Sequence, residues 1–317
     1  MQIIEKTRIY NPDAWGASGI FSAFSHDGQL IAVRVPSNLY NSSRKTKDNL
    51  FVYDITGKII WSGYSADSGD GNEKGIVFYP DKYSILVPGC DDNNGNLDGL
   101  KCYQIGGTGY TLPFNQTHLS GINTSIILAS DNGEAILGRK CGDDGLFCVI
   151  GKKELPINLT HCTEAYFSPD IELLALTSIL GYKSWLYQLS EHFKNIEMFG
   201  QFVCFLPDKK ILEYVNKNFV VWDFCNMQEI HNIRVALPAS IVSGASTDDG
   251  QFIALCDFLG EISIWETKNF TLMSKTKLAS NYIVSRMRFS NDRQYLLTEV
   301  MDGERIRKEI IVWLTNL

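Results

Sequence analysis

The sequence predicts an all-β fold, a seven-bladed β-propeller closed by an N-terminal strand that completes the last blade. Three observations lead to this prediction: a turn containing aspartate recurs seven times, a β-rich run follows the turn, and a marker residue in a later strand follows that run. The turn aspartates are Asp27, Asp81, Asp131, Asp170, Asp208, Asp249 and Asp292, at intervals of 38 to 54 residues. Repeats of four short strands at such intervals are typical of propellers.

Each repeat has the same order of parts. The turn residues are rich in Pro, Asp, Asn and Gly, which supply restricted or left-handed backbone conformations. We expect the turn aspartates to be structural and to bond nearby backbone amides. Apolar runs such as 30–33 and 252–255 form the second strand, and a marker, usually aromatic, lies in the third. The markers are Tyr53, Tyr103, Val149, Tyr187, Trp222, Trp265 and Trp313.

The repeats fill the chain, so we predict a single domain over residues 1–317. The seven blades are placed at 20–63, 75–114, 122–158, 163–198, 200–235, 241–278, and 283–317 together with 2–9. The last repeat lacks a fourth strand before the chain ends, whereas residues 2–9 are β-capable and belong to no repeat. Pairing the two closes the ring and removes an exposed sheet edge.

This pattern resembles the WD-repeat propellers over essentially the full length of the chain. Trp222-Asp223 is a WD dipeptide, and Trp265-Glu266 and Tyr53-Asp54 are near matches. No histidine follows a glycine, so the repeats are degenerate and the family's Asp-His-Ser-Trp hydrogen-bonded arrangement is not carried over. The resemblance implies a non-enzymatic scaffold that binds another protein.

The net charge of the chain indicates which kinds of partner it is unsuited to bind. The chain has 29 Lys and Arg against 36 Asp and Glu, a net charge of −7, which disfavours nucleic acid as a partner. No apolar run approaches the roughly 20 residues of a membrane span, and no secretory signal is visible, so we expect a cytoplasmic protein that is monomeric by itself.

The eight cysteines form no C-x-x-C pair, and we expect buried free thiols; a Cys141–Cys148 disulfide would require an oxidising compartment.

Two patterns favour other functions less strongly, and the motif of a hydrolase is missing. Residues 54–61 match a D-x-x-T-G-K-x-x-W motif of quinoprotein propellers once, but the same residues make a good hairpin turn. Residues 92–98 alternate oxygen-bearing side chains as calcium loops do, although an EF-hand would need Gly and Glu where Leu97 and Tyr103 stand. No G-x-S-x-G nucleophile motif occurs. We therefore expect no cofactor, no metal and no catalysis, with a small-molecule or Ca²⁺-binding propeller, or an enzyme with a site at the channel mouth, as the alternatives.

Loop length indicates where a partner binds. The connections between the second and third strands are longest in blades 7, 1 and 2, and a long blade-joining loop at 64–74 lies in the same sector. Long loops on a rigid scaffold are where binding residues concentrate. Of the loops 36–48, 64–74, 90–98 and 301–308, the first three carry segregated charges: the first holds Arg44, Lys45 and Lys47, the second Asp67, Asp70 and Glu73, and the third Asp91, Asp92 and Asp98. The candidate partner-binding residues are Tyr40, Arg44, Lys45, Lys47, Tyr64, Asp67, Asp70, Asp91, Asp92, Asp98, Arg305 and Arg307.

Overall fold

The structure, a computed structural model, confirms the predicted fold class. Its description covers residues 2–10, 21–25, 28–35, 48–64, 76–78, 84–88, 100–106, 111–112, 124–129, 135–140, 146–150, 153–157, 164–168, 170–177, 184–189, 194–198, 200–226, 228–234, 241–279, 282–302 and 308–317. Within these ranges the chain forms seven antiparallel four-stranded sheets, arranged as a seven-bladed β-propeller, and no helix. Consequently no helix among them could cross a membrane.

In blades 1 to 4, four consecutive strands pair in chain order. Blade 1 contains β2 (Phe21–Phe24), β3 (Leu30–Arg34), β4 (Leu50–Asp54) and β5 (Ile59–Gly63). Blade 2 contains β6 (Val77–Phe78), β7 (Ser84–Pro88), β8 (Leu100–Gln104) and β9 (Thr111–Leu112). Blade 3 contains β10 (Thr124–Ala129), β11 (Ala135–Lys140), β12 (Leu146–Ile150) and β13 (Lys153–Ile157). Blade 4 contains β14 (Glu164–Phe167), β15 (Leu173–Thr177), β16 (Ser184–Gln188) and β17 (Lys194–Glu197).

Blades 5 and 6 follow the same order, and blade 7 takes its fourth strand from the N-terminus. Blade 5 contains β18 (Gln201–Leu206), β19 (Lys210–Val215), β20 (Asn218–Asp223) and β21 (Gln228–Arg234). Blade 6 contains β22 (Ile241–Ser246), β23 (Phe252–Asp257), β24 (Glu261–Glu266) and β25 (Thr271–Lys277). Blade 7 contains β26 (Tyr282–Phe289), β27 (Tyr295–Asp302), β28 (Lys308–Leu314) and β1 (Ile4–Tyr10).

The N-terminal strand β1 is the fourth strand of blade 7, as predicted, because the order in that sheet is β1-β28-β27-β26. Two side-chain contacts hold it. Lys6 Nζ donates to the hydroxyl of Tyr295 at 3.1 Å and lies 4.8 Å from the centre of its ring. Arg8 Nη1 forms an ion pair with Glu309 Oε2 at 2.8 Å. Closure of the fold therefore combines strand pairing with specific contacts.

The chain divides into two compact units. The first comprises Met1–Lys6, His161–Gly303 and Ile311–Leu317, and the second comprises Thr7–Thr160 and Glu304–Ile310. Inside each unit the apolar core lies between consecutive blades. In the first unit one cluster joins blades 6 and 7 around Ile264 and Trp313, and another joins blades 5 and 6 around Phe219 and Trp265. In the second unit a cluster around Val52 joins blades 1 and 2.

The predicted markers all lie in third strands, from Tyr53 in β4 to Trp313 in β28. Third strands are buried because they lie between two other strands of their own blade and pack against a neighbouring blade. The fourth strands β21 and β25 are mostly exposed, with charged and polar residues along them. Such residues protect sheet edges from pairing with other chains.

Candidate functional site

The predicted partner-binding loops fall largely outside the described residues. Tyr64 is described; it follows β5 and is 48% exposed. The other candidates lie outside the described part of the chain, so their contribution to binding stays a prediction. They are Tyr40, Arg44, Lys45, Lys47, Asp67, Asp70, Asp91, Asp92, Asp98, Arg305 and Arg307. The calcium-like run at 92–98 is outside the described residues as well.

The turn between the first and second strands of a blade is fixed by a repeated hydrogen-bonded unit. In blade 4 the Ser168 hydroxyl donates to Asp170 Oδ1 at 2.6 Å and accepts from the Leu173 amide at 2.9 Å, while Asp170 Oδ1 accepts from the Glu172 amide at 3.1 Å. The same unit recurs in blade 6 with Thr247 and Asp249. It recurs in blade 7 with Ser290 and Asp292.

The residue after the aspartate has a positive φ in these turns. Gly250 has φ 61°, but Ile171 and Arg293 adopt φ 58° and 62° with side chains that disfavour this region. Three hydrogen bonds per turn hold that conformation. The sequence prediction that these aspartates are structural and bond backbone amides is confirmed at Asp170, Asp249 and Asp292.

Blade 5 uses a different turn. Its Asp208 and Lys209 both have positive φ, 59° and 56°, which is the conformation of a type I′ hairpin. Leu206 stands where the turns of blades 4, 6 and 7 have Ser or Thr, and Asp208 instead contacts Lys210 Nζ at 3.4 Å. The shared sequence pattern at Asp208 therefore corresponds to a different local structure.

In blades 4 to 7, the turns that join first and second strands contact those of the neighbouring blades. Lys209 of blade 5 pairs with Glu172 of blade 4 at 2.5 Å, and Arg293 of blade 7 pairs with Asp249 of blade 6 at 2.5 Å. Between these pairs, Gly250 of blade 6 lies against the ring of Pro207 in blade 5. The four turns therefore lie at one end of their blades, which we call the first-turn end.

The turns between second and third strands lie at the opposite end, the second-turn end. In blade 5 this turn is Asn216-Lys217, with φ 50° and 66°, again a type I′ hairpin. In blade 6 it is the segment 257–261. There Asp257 Oδ1 accepts from the amides of Leu259 and Glu261, both at 2.9 Å, and the Asp257 carbonyl accepts from the Gly260 amide at 3.0 Å. Gly260 supplies the positive φ of 77° that closes this turn.

The tip of the blade 6 turn carries two apolar side chains into solvent. Phe258 is 69% exposed and Leu259 is 54% exposed, whereas Asp257 before them is buried. We name Phe258-Leu259 the apolar tip. Sequence reasoning missed it because Phe258-Leu259 continues the apolar run of β23. The signal was nevertheless present: an aspartate precedes the pair and a glycine follows it, as in a turn.

Charge differs between the two ends in blades 5 and 6. At the second-turn end Lys217, Arg234 and Lys277 are exposed, and within the described part of the chain none of the three forms an ion pair. The blade 6 turn contains two acids: the Asp257 carboxylate accepts from backbone amides, and that of Glu261 binds Lys275 Nζ at 3.2 and 3.3 Å. At the first-turn end, in contrast, Lys209, Lys210 and Arg293 each contact a carboxylate.

The indoles of three third-strand tryptophans are hydrogen-bonded within their blades. Trp313 Nε1 donates to the Thr298 hydroxyl at 3.0 Å, from the third strand of blade 7 to the second. Trp222 Nε1 makes the corresponding bond to Glu213 Oε2 at 2.8 Å in blade 5. Trp265 Nε1 instead bonds Ser263 of its own strand, at 2.9 Å. A buried N–H without an acceptor costs free energy, so these bonds help to fix the third strands.

Among the free thiols that the structure describes, three are buried and the fourth, Cys225, is exposed. Cys148, Cys204 and Cys256 are free and buried, and burial raises the pKa of each to about 12. At neutral pH they therefore remain protonated, and the thiolate is the reactive form. Cys148 is consistent with the expected buried free thiols, while Cys141 lies outside the described residues.

The segment resembling a quinoprotein motif forms a hairpin turn. Asp54 Oδ1 accepts from the Thr56 hydroxyl at 2.5 Å and from the amides of Thr56 and Lys58 at 2.9 and 3.0 Å. The bond from the Thr56 hydroxyl is the main reason that the pKa of Asp54 is lowered. Gly57 provides the positive φ of 86°. These four residues are accounted for by the turn between β4 and β5.

No set of side chains suited to a metal occurs among the described ranges, where no three His, Cys, Asp or Glu residues are placed to share an ion. No family model matches the chain, and no curated protein matches it. The function must therefore be argued from the surfaces of the molecule.

Proposed function

We propose that the protein is a non-enzymatic protein-interaction module, a WD-repeat-like scaffold that binds another protein through the second-turn ends of its blades. It acts in the cytoplasm and is monomeric without its partner. The observation that carries this proposal is the apolar tip: Phe258 and Leu259 are exposed on a turn whose backbone is fixed by the buried Asp257. Exposed apolar side chains on rigid supports are suited to anchoring a partner.

The WD-repeat-like assignment is supported by local structure as well as by the repeats. The hydrogen bond from Trp313 to Thr298 joins a third-strand indole to a second-strand hydroxyl, with a threonine where the Asp-His-Ser-Trp arrangement of that family has serine. Histidine does not follow glycine anywhere in the chain, so the remaining part of the arrangement has no counterpart.

Three of the four predicted loops belong to the same kind of connection as the apolar tip. Loops 36–48, 90–98 and 301–308 join second to third strands in blades 1, 2 and 7, whereas loop 64–74 joins blades 1 and 2. We propose that these loops also bind a partner protein. A rigid support limits the ordering that binding requires to the loop tips, which lowers its entropic cost.

The test is affinity capture from an extract of the native cell with three forms of the protein as bait. The wild-type bait should retain a defined set of proteins, and Arg44→Glu with Lys45→Glu should lose part of that set. The matched control Lys210→Glu, at the first-turn end, should retain the whole set. Loss with Lys210→Glu but not with the loop variant would contradict the assigned surface, and no specific retention by any bait would contradict the function.

A further inference from the structure

The second-turn end of blades 5 and 6 combines the apolar tip with an excess of positive charge, since Lys217, Arg234, Lys275 and Lys277 stand there against Asp257 and Glu261. Lys217 lies on the blade 5 turn, and strand register places Arg234 opposite Asn218 beside that turn. Register likewise places Lys277 opposite Glu261, beside the apolar tip. Because the carboxylate of Glu261 binds Lys275, it leaves Lys277 without an ion pair in the described structure.

Blades 5 and 6 present these groups side by side. The first strands β18 and β22 are neighbours, and Gly244 in β22 lies close to Val203 in β18. The contact between Pro207 and Gly250 places the first turns of both blades at one end, so both second turns lie at the other. Lys217 and the apolar tip therefore belong to one surface of two adjacent blades.

The apolar residues are not required by the turn. The corresponding turn of blade 5 is formed by Asn216 and Lys217, which are both polar and exposed. In blade 6 the turn geometry depends on the Asp257 carboxylate and on Gly260, not on the two residues at its tip. Polar side chains at 258 and 259 would satisfy the same backbone, so the exposed pair needs a reason other than folding.

From these observations we propose that the second-turn end of blades 5 and 6 binds an extended acidic segment of a partner protein, with an apolar side chain of that segment packed on Phe258 and Leu259. This inference rests on the proposed function and names the chemistry of the partner. Lys217, Arg234 and Lys277 supply the charge that the segment's carboxylates complement. Complementary charge fixes the register of such a segment and speeds its encounter.

Charge also distinguishes a peptide from a membrane or a nucleic acid. The whole chain carries −7, which repels an extended anionic surface. A short acidic segment bound at this surface is screened from acids farther away than about 10 Å, the Debye length at 0.1 M salt. The local positive charge therefore favours a small anionic ligand over a large one.

The test uses a fluorescein-labelled synthetic peptide with a central Leu-Phe pair between runs of Glu and Asp, and fluorescence polarisation with the full-length protein. One comparison peptide replaces the acids with Gln, and the other replaces Leu-Phe with Ser-Ser. We expect saturable binding of the first peptide and binding at least about tenfold weaker for the other two. Raising the salt from about 0.1 M to about 1 M should weaken binding of the acidic peptide, since the Debye length falls to about 3 Å.

Two double variants test the surface. Phe258→Ser with Leu259→Ser, and Lys217→Glu with Lys277→Glu, should each weaken binding about tenfold. The Lys210→Glu control should keep it within about twofold. Circular dichroism checks that each variant is folded, which we expect because exposed turn positions tolerate substitution.

Three results would overturn the inference: no saturable binding of the acidic peptide, equal binding by the Lys217→Glu and Lys277→Glu variant, or equal binding of the Gln peptide. Binding of phosphatidylserine vesicles through the same residues, without peptide binding, would show that this surface binds an anionic membrane and not a peptide. If the wild-type protein captures extract proteins but does not bind the acidic peptide, the proposed function stands and this assignment fails.

Discussion

Gly250 offers a quantitative test of the contacts between first turns. Its φ of 61° disfavours any residue with a Cβ, at a cost of about 1–2 kcal/mol. A Cβ at this position would also meet the ring of Pro207, with Cγ at 2.8 Å and Cδ closer still. Because a proline ring cannot rotate away, we expect overpacking to cost a further roughly 1–3 kcal/mol. Gly250→Ala should therefore lower the free energy of unfolding by about 2–5 kcal/mol.

Gly106→Ala is the matched control. Gly106 has a similar positive φ of 81°, but nothing lies within 4 Å of its added Cβ. This variant should lose only the backbone cost, about 1–2 kcal/mol. The effect of alanine on the entropy of the unfolded chain is the same in both variants and cancels in the comparison.

The assay is urea unfolding followed by tryptophan fluorescence, with the two variants and the wild type measured in parallel. Gly250→Ala should unfold at the lowest urea concentration and Gly106→Ala between it and the wild type. Equal losses in the two variants would refute the claim that the Gly250–Pro207 contact constrains the packing of blades 5 and 6.

Three further predictions concern stability. Deletion of residues 1–9 should destabilise the protein severely and cause aggregation, because it removes the fourth strand of blade 7; a truncated monomer that melts within a few degrees of wild type would contradict this. Ile171→Gly should raise the free energy of unfolding by about 1 kcal/mol, since it relieves a β-branched residue at φ 58°; a lower melting temperature would oppose the strain argument. Burial raises the pKa of Asp249, but hydrogen bonds from the Thr247 hydroxyl and a backbone amide, together with the Arg293 charge, outweigh burial and lower it below 3.8. The unfolded state then binds more protons, so this stabilisation is present above about pH 4 and is lost as the pH falls through the folded pKa. In a series of melting temperatures at different pH, Asp249→Asn should therefore lose less stability than the wild type as the pH falls below about 4, and an unchanged pH dependence would contradict the assignment.

The repeat pattern predicted the blades because turn aspartates and third-strand aromatics are local signals. Trp222 and Trp313 could be placed in third strands from their spacing alone, and the N-terminal strand from the missing fourth strand. The acceptors of the two indoles, Glu213 and Thr298, could not be predicted, since they depend on strand register across the blade. The sequence pattern at Asp208 matches that of the other turns, but its structure differs, because Asp208 lies in a type I′ hairpin and not in a Ser-x-Asp turn.

The candidate surface was less predictable than the fold. Loop length pointed to residues such as Arg44 and Asp92, which lie outside the described residues. The apolar tip depends on exposure, and Phe258-Leu259 is indistinguishable from the end of a buried strand until Asp257 is known to close a turn. The charge contrast between the ends of the blades likewise required knowing that Lys209 and Arg293 are paired whereas Lys217 and Lys277 are exposed without ion partners in the described structure.

Site-specific photo-crosslinking tests the central claim most directly, because it reports which end of the blades contacts a partner. A benzophenone amino acid would replace Phe258 at the second-turn end in one protein and Lys209 at the first-turn end in another, and each would be irradiated in native cells. We predict an adduct with another protein from position 258, reduced by the added substitutions Lys217→Glu and Lys277→Glu, and none from position 209. Adducts from position 209 alone would contradict the account, as would adducts from position 258 that the charge reversals leave unchanged.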